Sequence, residues 1–195
     1  MFFNYSNIID PFLRRLRTKV LSFSLIEKDT KILDVCCGTG NQCLYFSQKS
    51  NFVFGIDLDE SMIKLSKRNK KINLRVADAQ KMPFKKNYFD LVSISLALHE
   101  KDAELRNKII SEIKRVTKRK GIIIIADYSS PLPNNPFSFI IKTVERIAGE
   151  NHFRCFNEYI LSGGIDKILK DNNLSFDKEE FIYFNTIKII RIRKN

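Results

Sequence analysis

The stretch KILDVCCGTGNQ, residues 31–42, decides the fold of this 195-residue chain. Its first six residues, 31–36, form an apolar run typical of a buried strand. The residues that follow are small, and Gly38 and Gly40 allow a tight turn in which the backbone comes close to a ligand. A helix is predicted directly after Gly40, and its unpaired N–H groups would point into the same turn.

Strands and helices continue to alternate beyond this unit. We predict further strands at residues 52–57, 72–77, 89–96 and 122–127. Helices are predicted to open at Asp59 and to run over residues 102–118. Parallel strands joined by helices need right-handed crossovers, which place helices on both faces of the sheet. The pattern therefore predicts an α/β protein with a Rossmann-like, doubly wound sheet.

The segments before and after this alternating region are also predicted to be ordered. An opening helix is predicted with Asp10 as its N-cap and Pro11 at the first helical position. A turn-rich loop follows residue 128, and a helical piece is predicted at residues 164–170. Between them we predict a helix whose inward-facing residues are Phe137, Ile140, Ile141, Val144 and Ile147.

Two strands, residues 176–184 and 187–193, are predicted to close the chain. Only Asn185 and Thr186 separate them, and so short a connection pairs strands antiparallel. We therefore expect a seven-stranded sheet that is mostly parallel and ends in a C-terminal antiparallel hairpin. The whole of residues 1–195 is expected to form one domain, with an insert at residues 129–172.

Composition excludes disordered and fibrous proteins. The chain is 44% hydrophobic and 29% charged, with only 7 Gly and 5 Pro, which is ordinary globular usage. The formal net charge is +12, from 34 basic and 22 acidic residues. That charge permits a nucleic-acid or anionic-membrane partner. The cations are spread along the chain, so we interpret them mainly as solvated helix faces; a nucleic-acid partner is disfavoured but not excluded.

The four cysteines indicate reduced thiols rather than a disulfide framework. Cys36 and Cys37 are adjacent, and no Cys-x-x-Cys pair occurs, so no metal site is predicted. The apolar runs are far too short for a membrane span, and residues 1–10 do not resemble a secretion signal. The sequence therefore predicts a cytoplasmic protein.

The candidate ligand-binding residues follow the strands, because ligands of doubly wound sheets lie beyond the strands' carboxyl ends. After the second strand, Asp57 has a carboxylate that can accept hydrogen bonds from two ribose hydroxyls. A dinucleotide oxidoreductase is the nearest rival, but Cys43 stands where its three-glycine fingerprint needs a small residue. The other candidates at strand ends are Asp34, Cys37, Gly38, Thr39, Gly40, Asp78, Ala79, Gln80, Ser95 and Leu96.

Five ordered motifs carry a resemblance to a known family. They are ILDVCCGTG (32–40), GIDLDESM (55–62), ADAQKMPF (77–84), YFDLV (88–92) and RVTKRKG (115–121). In this order they resemble the class I, S-adenosylmethionine (SAM)-dependent methyltransferases, especially the menaquinone and ubiquinone biosynthesis branch. The family's first loop glycine is Cys36 here. The resemblance implies SAM as cofactor and S-adenosylhomocysteine (SAH) as product.

The resemblance also implies roles for individual residues. The loop Gly38–Gly40, with Thr39, would border the methionine part of the cofactor, and Asp34 would order that loop. Asp57 would hold the ribose, with Leu58 and Met62 on either side of the adenine. Ser95 would supply backbone near the sulfonium. Asp78 and Ala79 would meet the adenine edge.

The candidate catalytic residues lie where an acceptor would meet the methyl group. His99 follows the fourth strand and is proposed as a general base, since its ordinary pKa suits neutral pH. Asp127 and Tyr128 end the fifth strand and are candidates to face the acceptor. His152 is interpreted as a residue of an exposed loop beyond the insert helix.

The resemblance implies methyl transfer to a small acceptor, and the aromatic residues of the insert suggest an apolar or aromatic one. An RNA- or protein-directed methyltransferase and a catalytically silent SAM-binding protein are the alternatives. The chain has no Pro-Pro-aromatic or Pro-Cys sequence, which disfavours the common base-methylating enzymes. No acidic cluster follows the fourth strand, which disfavours metal-dependent catechol methylation. The aromatic residues considered for an acceptor lid are Phe137, Phe139, Phe153, Phe156 and Tyr159.

Overall fold

A computed structural model describes residues 5–66 and 72–194 of the chain. Helices and strands alternate through most of this part. Among its helices, none is long and apolar enough to span a membrane. The elements in chain order are α1 (Tyr5–Phe23), β1 (Lys31–Val35), α2 (Asn41–Phe46), β2 (Phe52–Asp57), α3 (Glu60–Lys64), β3 (Ile72–Val76), β4 (Phe89–Ser95), α4 (Ala103–Val116), β5 (Thr117–Tyr128), α5 (Pro136–Ile147), α6 (Glu150–Ser162), α7 (Gly164–Asp171), β6 (Lys178–Ile182) and β7 (Ile187–Arg193).

The strands form one seven-stranded sheet in the order β3-β2-β1-β4-β5-β7-β6. The neighbours among β1 to β5 pair in parallel, whereas β7 pairs antiparallel with both β5 and β6. This confirms the predicted doubly wound sheet and its antiparallel C-terminal hairpin. β1 lies between β2 and β4, so the chain's winding reverses there and opens a crevice at the carboxyl ends of β1 and β4.

The middle of the sheet forms the core because its strands are buried on both faces. Ile123, Ile124 and Ile125 of β5 are at most 1% exposed. β-branched residues suit such a doubly covered strand. On the outside, α4 begins where the Asp102 side chain accepts a hydrogen bond from the Leu105 N–H. The buried face of α4 then covers the sheet with apolar side chains. The predicted strand at residues 122–127 and the predicted helix after Asp102 are therefore both present.

Several predicted boundaries are wrong. β6 covers Lys178–Ile182 and not residues 176–184, so four residues and not two separate it from β7. α1 begins at Tyr5, so Asp10 is not its N-cap and Pro11 lies inside the helix. Proline favours a helix start because it lacks an N–H and because, inside a helix, its ring crowds the carbonyl of the preceding turn, but this helix contains it. β5 begins at Thr117 and not at residue 122, because its first residues continue the sheet beside Phe89 past a register shift.

The insert also differs from its prediction. Residues 150–162 form a helix, α6, so His152 lies on a helix and not in an exposed loop. The predicted inward face of α5 is partly wrong. Ile141 is buried and Phe137 and Val144 are half-buried as predicted, but Ile140 is 56% and Ile147 81% exposed while Glu145 is buried. Hydrogen bonds from Tyr128 and His152 hold the Glu145 carboxylate inside, which turns part of the apolar stripe outward.

Candidate active site

The loop after β1 has the backbone geometry that the glycine turn predicts. Cys36, Gly38 and Gly40 all have positive φ, at 55°, 54° and 75°. Gly40 N–H donates to the Cys37 carbonyl at 2.9 Å, which closes the turn in front of α2. A Cβ atom at Gly38 would meet no atom within 4 Å, so this loop borders open space. The space lies at the carboxyl end of β1, where the cofactor was predicted.

Asp57 connects this loop to the end of β2. Its Oδ2 accepts the Gly38 N–H at 2.7 Å, and its Oδ1 accepts the Asp59 N–H at 2.9 Å. The side chain is half-buried at the strand end. Each carboxylate oxygen has a second lone pair, so Asp57 can accept two more hydrogen bonds while it holds the loop.

The residues expected around an adenine lie at the adjoining strand ends. Leu58 is 71% and Met62 37% exposed, so both are open to a ligand. Asp78 accepts the Gln80 N–H at 2.8 Å in the turn after β3, and Ala79 is 8% exposed beside them. These residues stay predicted contacts of the cofactor.

The end of β4 carries a polar atom without a partner. The Ser95 Oγ is buried and makes no hydrogen bond within residues 5–66 and 72–194. Leu96 follows with φ of 51°, and its N–H donates to the Ala126 carbonyl at 2.8 Å. A buried hydroxyl normally finds a partner, and Ser95 lies at the carboxyl end of β4, on the sheet edge where the crevice opens.

Asp34 lies beneath the loop rather than in the crevice. It is 3% exposed, and it accepts hydrogen bonds from Ser93 on β4 and, at 3.9 Å, from the Cys43 thiol on α2. Burial raises the pKa of Asp34 to about 7, although the Ser93 hydrogen bond and the Arg17 charge oppose the rise. Asp34 thus joins β1, β4 and α2 below the turn.

The raised pKa of Asp34 gives a pH-dependent stability. The folded protein keeps the Asp34 proton up to about pH 7, whereas an unfolded aspartate releases it near 3.8. The Asp34 contribution to the free energy of unfolding is therefore present at pH 4 and is lost as the pH rises to about 7. Asp34→Asn has no titrating group at this position, so it should not show this loss. Between pH 4.5 and 8 we expect the free energy of unfolding of wild type to fall by at least about 1.4 kcal/mol more than that of the variant, the equivalent of one pKa unit. Urea unfolding at both pH values measures it; equal slopes with pH for the two proteins would contradict it.

On the other side of the crevice, His99 and Asp127 form a buried pair. His99 is 4% exposed, and its Nδ1 lies 2.6 Å from Asp127 Oδ1. Burial by itself lowers the pKa of His99, but the Asp127 and Glu145 carboxylates more than offset this and raise it to about 10. Asp127 also accepts the backbone N–H groups of Leu98, His99 and Tyr128. The aspartate therefore fixes the ring of His99 and the loop that carries it.

Two residues that the sequence analysis missed complete this group. Glu145 Oε2 lies 2.5 Å from His152 Nε2 and 3.5 Å from His99 Nε2, while its Oε1 accepts the Tyr128 hydroxyl at 2.8 Å. The helical spacing of Ser138, Ile141 and Glu145 was the signal that places Glu145 on the buried face of α5. The glycines on either side of residues 150–162 were the signal for α6, the helix that carries His152. We name this group the acceptor-side cluster; it consists of His99, Asp127, Tyr128, Glu145 and His152.

Comparison with known proteins agrees with this geometry. Residues 33–125 match a family model described as a methyltransferase domain. The chain is also 31% identical over 153 residues to a demethylmenaquinone methyltransferase of Staphylococcus aureus, across 73% of this chain and 63% of the relative. These matches support a class I, SAM-dependent methyltransferase. The chain spans less than two thirds of the length of these curated relatives.

Solved methyltransferase structures share the fold. A SAM-dependent methyltransferase from Aquifex aeolicus superimposes with a TM-score of 0.64 at 20% identity, covering 90% of this chain and 88% of that one. A geranyl diphosphate C-methyltransferase from Streptomyces coelicolor gives 0.67 at 13% identity, covering 93% and 80%. At such identities the likeness shows the fold alone. With the family match, it confirms the predicted methyltransferase fold, and the family's cofactor is SAM.

The residues at the carboxyl ends of the strands fit SAM. The Gly38 loop borders open space, Asp57 has two free lone pairs, and the Ser95 hydroxyl lacks a partner. These features surround the crevice at the carboxyl ends of β1, β2 and β4. A ligand with a ribose and a polar tail would satisfy all three at once.

Proposed function

We propose that the protein transfers a methyl group from SAM to a small, apolar or aromatic acceptor. The observation that supports this proposal is the hydrogen bond from the Gly38 N–H to the Asp57 carboxylate, which joins the end of β2 to a loop that borders open space at the carboxyl end of β1. The relative's name, demethylmenaquinone methyltransferase, supports an aromatic ring as acceptor. RNA or protein substrates and silent cofactor binding are the competing outcomes of the tests below.

The chain's own residues do the positioning in this proposal. Asp57 accepts the ribose hydroxyls, and the Gly38 loop lies along the methionine part. The bound cofactor supplies an already activated methyl group. The protein must then align the acceptor with the methyl carbon and exclude water, and good alignment supplies roughly 7–11 kcal/mol of the barrier. This division of work needs few chemically reactive side chains.

The acceptor side is assigned to the residues that follow β4 and β5. The sequence analysis proposed His99 as a general base because an ordinary imidazole pKa suits neutral pH. Its Nδ1 is bound to Asp127, and because its pKa is raised to about 10 the ring is protonated at neutral pH, so Nε2 would donate a proton to an acceptor rather than take one from it. Phe156 and Tyr159 are at most 1% exposed and belong to the core, and Phe139 is 74% exposed. Of the aromatic residues considered for a lid, the half-buried Phe137 and Phe153 are the ones that remain for an acceptor wall.

Calorimetry of the purified protein with SAM and SAH tests the first step. We expect both to bind and NAD to give no heat. Tight NAD binding without SAM or SAH binding would overturn the proposal. Incubation with labelled SAM and cell extract then separates small-molecule, RNA and protein acceptors by where the label enters, and binding without any label transfer would indicate a silent protein.

The catalytic assignment predicts a split effect for His99→Ala. With a short-chain demethylmenaquinol as probe acceptor, we expect kcat to fall about 100-fold or more, the usual scale for an acid–base group, while the Kd of SAM stays within a factor of three. The side-chain hydrogen bonds that the structure shows for His99 within residues 5–66 and 72–194 join it to Asp127 and Glu145, on the far side of the crevice from Asp57, which is why binding should survive. An equal loss of turnover and of SAM affinity would contradict the assignment.

A further inference from the structure

The acceptor-side cluster contains three side chains of metal-ligating types. His152 Nε2 and Glu145 Oε2 lie 2.5 Å apart in a hydrogen bond, which a bound ion would replace. The ligand atoms of His99, Glu145 and His152 all lie within 4.8 Å of one another. They come from the loop after β4, from α5 and from α6, so the fold and not local sequence brings them together. Bond lengths of about 2.0–2.2 Å to a zinc ion place such ligands roughly 3.3 Å apart, close to the 3.5 Å between His99 Nε2 and Glu145 Oε2.

The second atom of each of these side chains is already held by a neighbour. His99 Nδ1 binds Asp127 at 2.6 Å, Glu145 Oε1 accepts the Tyr128 hydroxyl at 2.8 Å, and His152 Nδ1 lies 3.5 Å from Glu100. In metalloproteins, carboxylates and hydroxyls hold the outer atoms of ligands in this way and orient the inner ones. An ordinary polar contact would not need all three outer partners.

Charge and access also suit a cation. Glu100 has its own counter-ion, since Lys101 Nζ lies 2.7 Å from its Oε1. Asp127 and Glu145 remain as two buried carboxylates, whose charge a bound dication would balance. The His152 side chain is 25% exposed, whereas those of His99 and Glu145 are 5% and 6% exposed. An ion would therefore be reached from the His152 side and would keep an open position there.

We propose that His99, Glu145 and His152 form a binding site for a divalent transition-metal ion, with Zn²⁺ as the typical ligand. Two imidazoles and one carboxylate favour such ions over Mg²⁺ and Ca²⁺, which take mainly oxygen ligands. The site lies on the acceptor side of the crevice. In the metal-bound protein His99 Nε2 would be a ligand and would exchange no proton with the acceptor, whereas an open coordination position would suit an oxygen of the acceptor. The sequence analysis predicted no metal site because the three ligands show no compact spacing.

Metal content tests this proposal without any assay of activity. The full-length protein is freed of metal with a chelator and titrated with Zn²⁺ by calorimetry, and bound zinc is counted by mass spectrometry after desalting. We expect one zinc per chain, micromolar affinity or tighter, and a rise in Tm. Glu145→Gln and His152→Ala should each weaken binding more than 100-fold, and Tyr128→Phe roughly 10-fold.

Glu150→Gln is the matched control, because it removes an exposed carboxylate two residues before His152 on the same helix. It should bind zinc like wild type. Circular dichroism and the Tm without metal show whether each variant is folded, and Co²⁺ in place of Zn²⁺ gives visible bands that report the ligand set. No zinc on the wild-type protein, or zinc that Glu145→Gln and His152→Ala both retain, would overturn the proposal. SAM binding is expected to persist in both variants, so failure of the metal site stays distinguishable from failure of the methyltransferase function.

Discussion

Replacing Asp57 with alanine is expected to weaken SAM binding about 100-fold or more. Two ribose hydroxyls donating to one carboxylate make charge-assisted hydrogen bonds of about 1.5–3 kcal/mol each, and about 2.8 kcal/mol already corresponds to 100-fold. The substitution also frees the Gly38 and Asp59 N–H groups that the carboxylate now holds. The variant would lose the ribose contact and the side-chain connection between β2 and the cofactor loop, which would then be joined to β2 through the Cys37 N–H bond to the Ile56 carbonyl. Calorimetric titration of wild type and variant with SAM and SAH measures the loss.

Asp59→Ala provides the comparison for this experiment. Asp59 is two residues away and equally acidic, but its side chain caps α3 through the Ser61 and Met62 N–H groups. Losing the cap costs about 1 kcal/mol of stability and no ribose contact. Asp57→Asn keeps the shape of the side chain and should fall between the two. A Kd for Asp57→Ala within a factor of three of wild type would remove Asp57 from the cofactor site.

The cofactor half of the molecule was predictable because its determinants are local. The glycine turn sets its own backbone angles, and Asp57 follows directly from the end of a strand whose apolar run is plain in the sequence. Parallel strands bring their carboxyl ends to one edge, so residues far apart in the chain were placed correctly. In this half the turn predicted from local residues and the predicted order of the strands place the same residues together, and the observed strand order confirms the predicted topology.

The acceptor half was less predictable because a polar contact overrode the apolar pattern. The apolar pattern alone predicted that Ile140 and Ile147 of α5 face inward. In the structure Glu145 faces inward instead, because hydrogen bonds with Tyr128 and His152 compensate the cost of burying its carboxylate. Those partners lie on β5 and α6, and a pattern within α5 does not contain them. His99 and Asp127 stay predicted neighbours of the acceptor, and the structure brings them together, whereas their link to His152 through Glu145 depends on tertiary packing.

Replacing Asp127 with alanine is expected to lower the free energy of unfolding by at least about 4 kcal/mol. Asp127 is fully buried, and its carboxylate accepts four donors: the Leu98, His99 and Tyr128 N–H groups and His99 Nδ1. Alanine would leave all four buried without their acceptor, and each unsatisfied donor costs about 1–3 kcal/mol. The loss approaches the whole stability of a typical domain, about 5–15 kcal/mol. Urea unfolding followed by circular dichroism measures it.

The size of this effect separates a buried acceptor from an exposed ion pair. Asp171→Ala removes a carboxylate that pairs with Lys167 on the surface of α7, and such exposed pairs contribute at most about 1 kcal/mol. Asp127→Asn keeps the volume and one acceptor oxygen but presents an NH₂ group to donors on its other side, so it should lose roughly half as much as alanine. If Asp127→Ala unfolded at the same urea concentration as Asp171→Ala, the carboxylate would not be what holds the loop after β4. His99 would then owe its place to packing against Tyr128 and Phe156 instead.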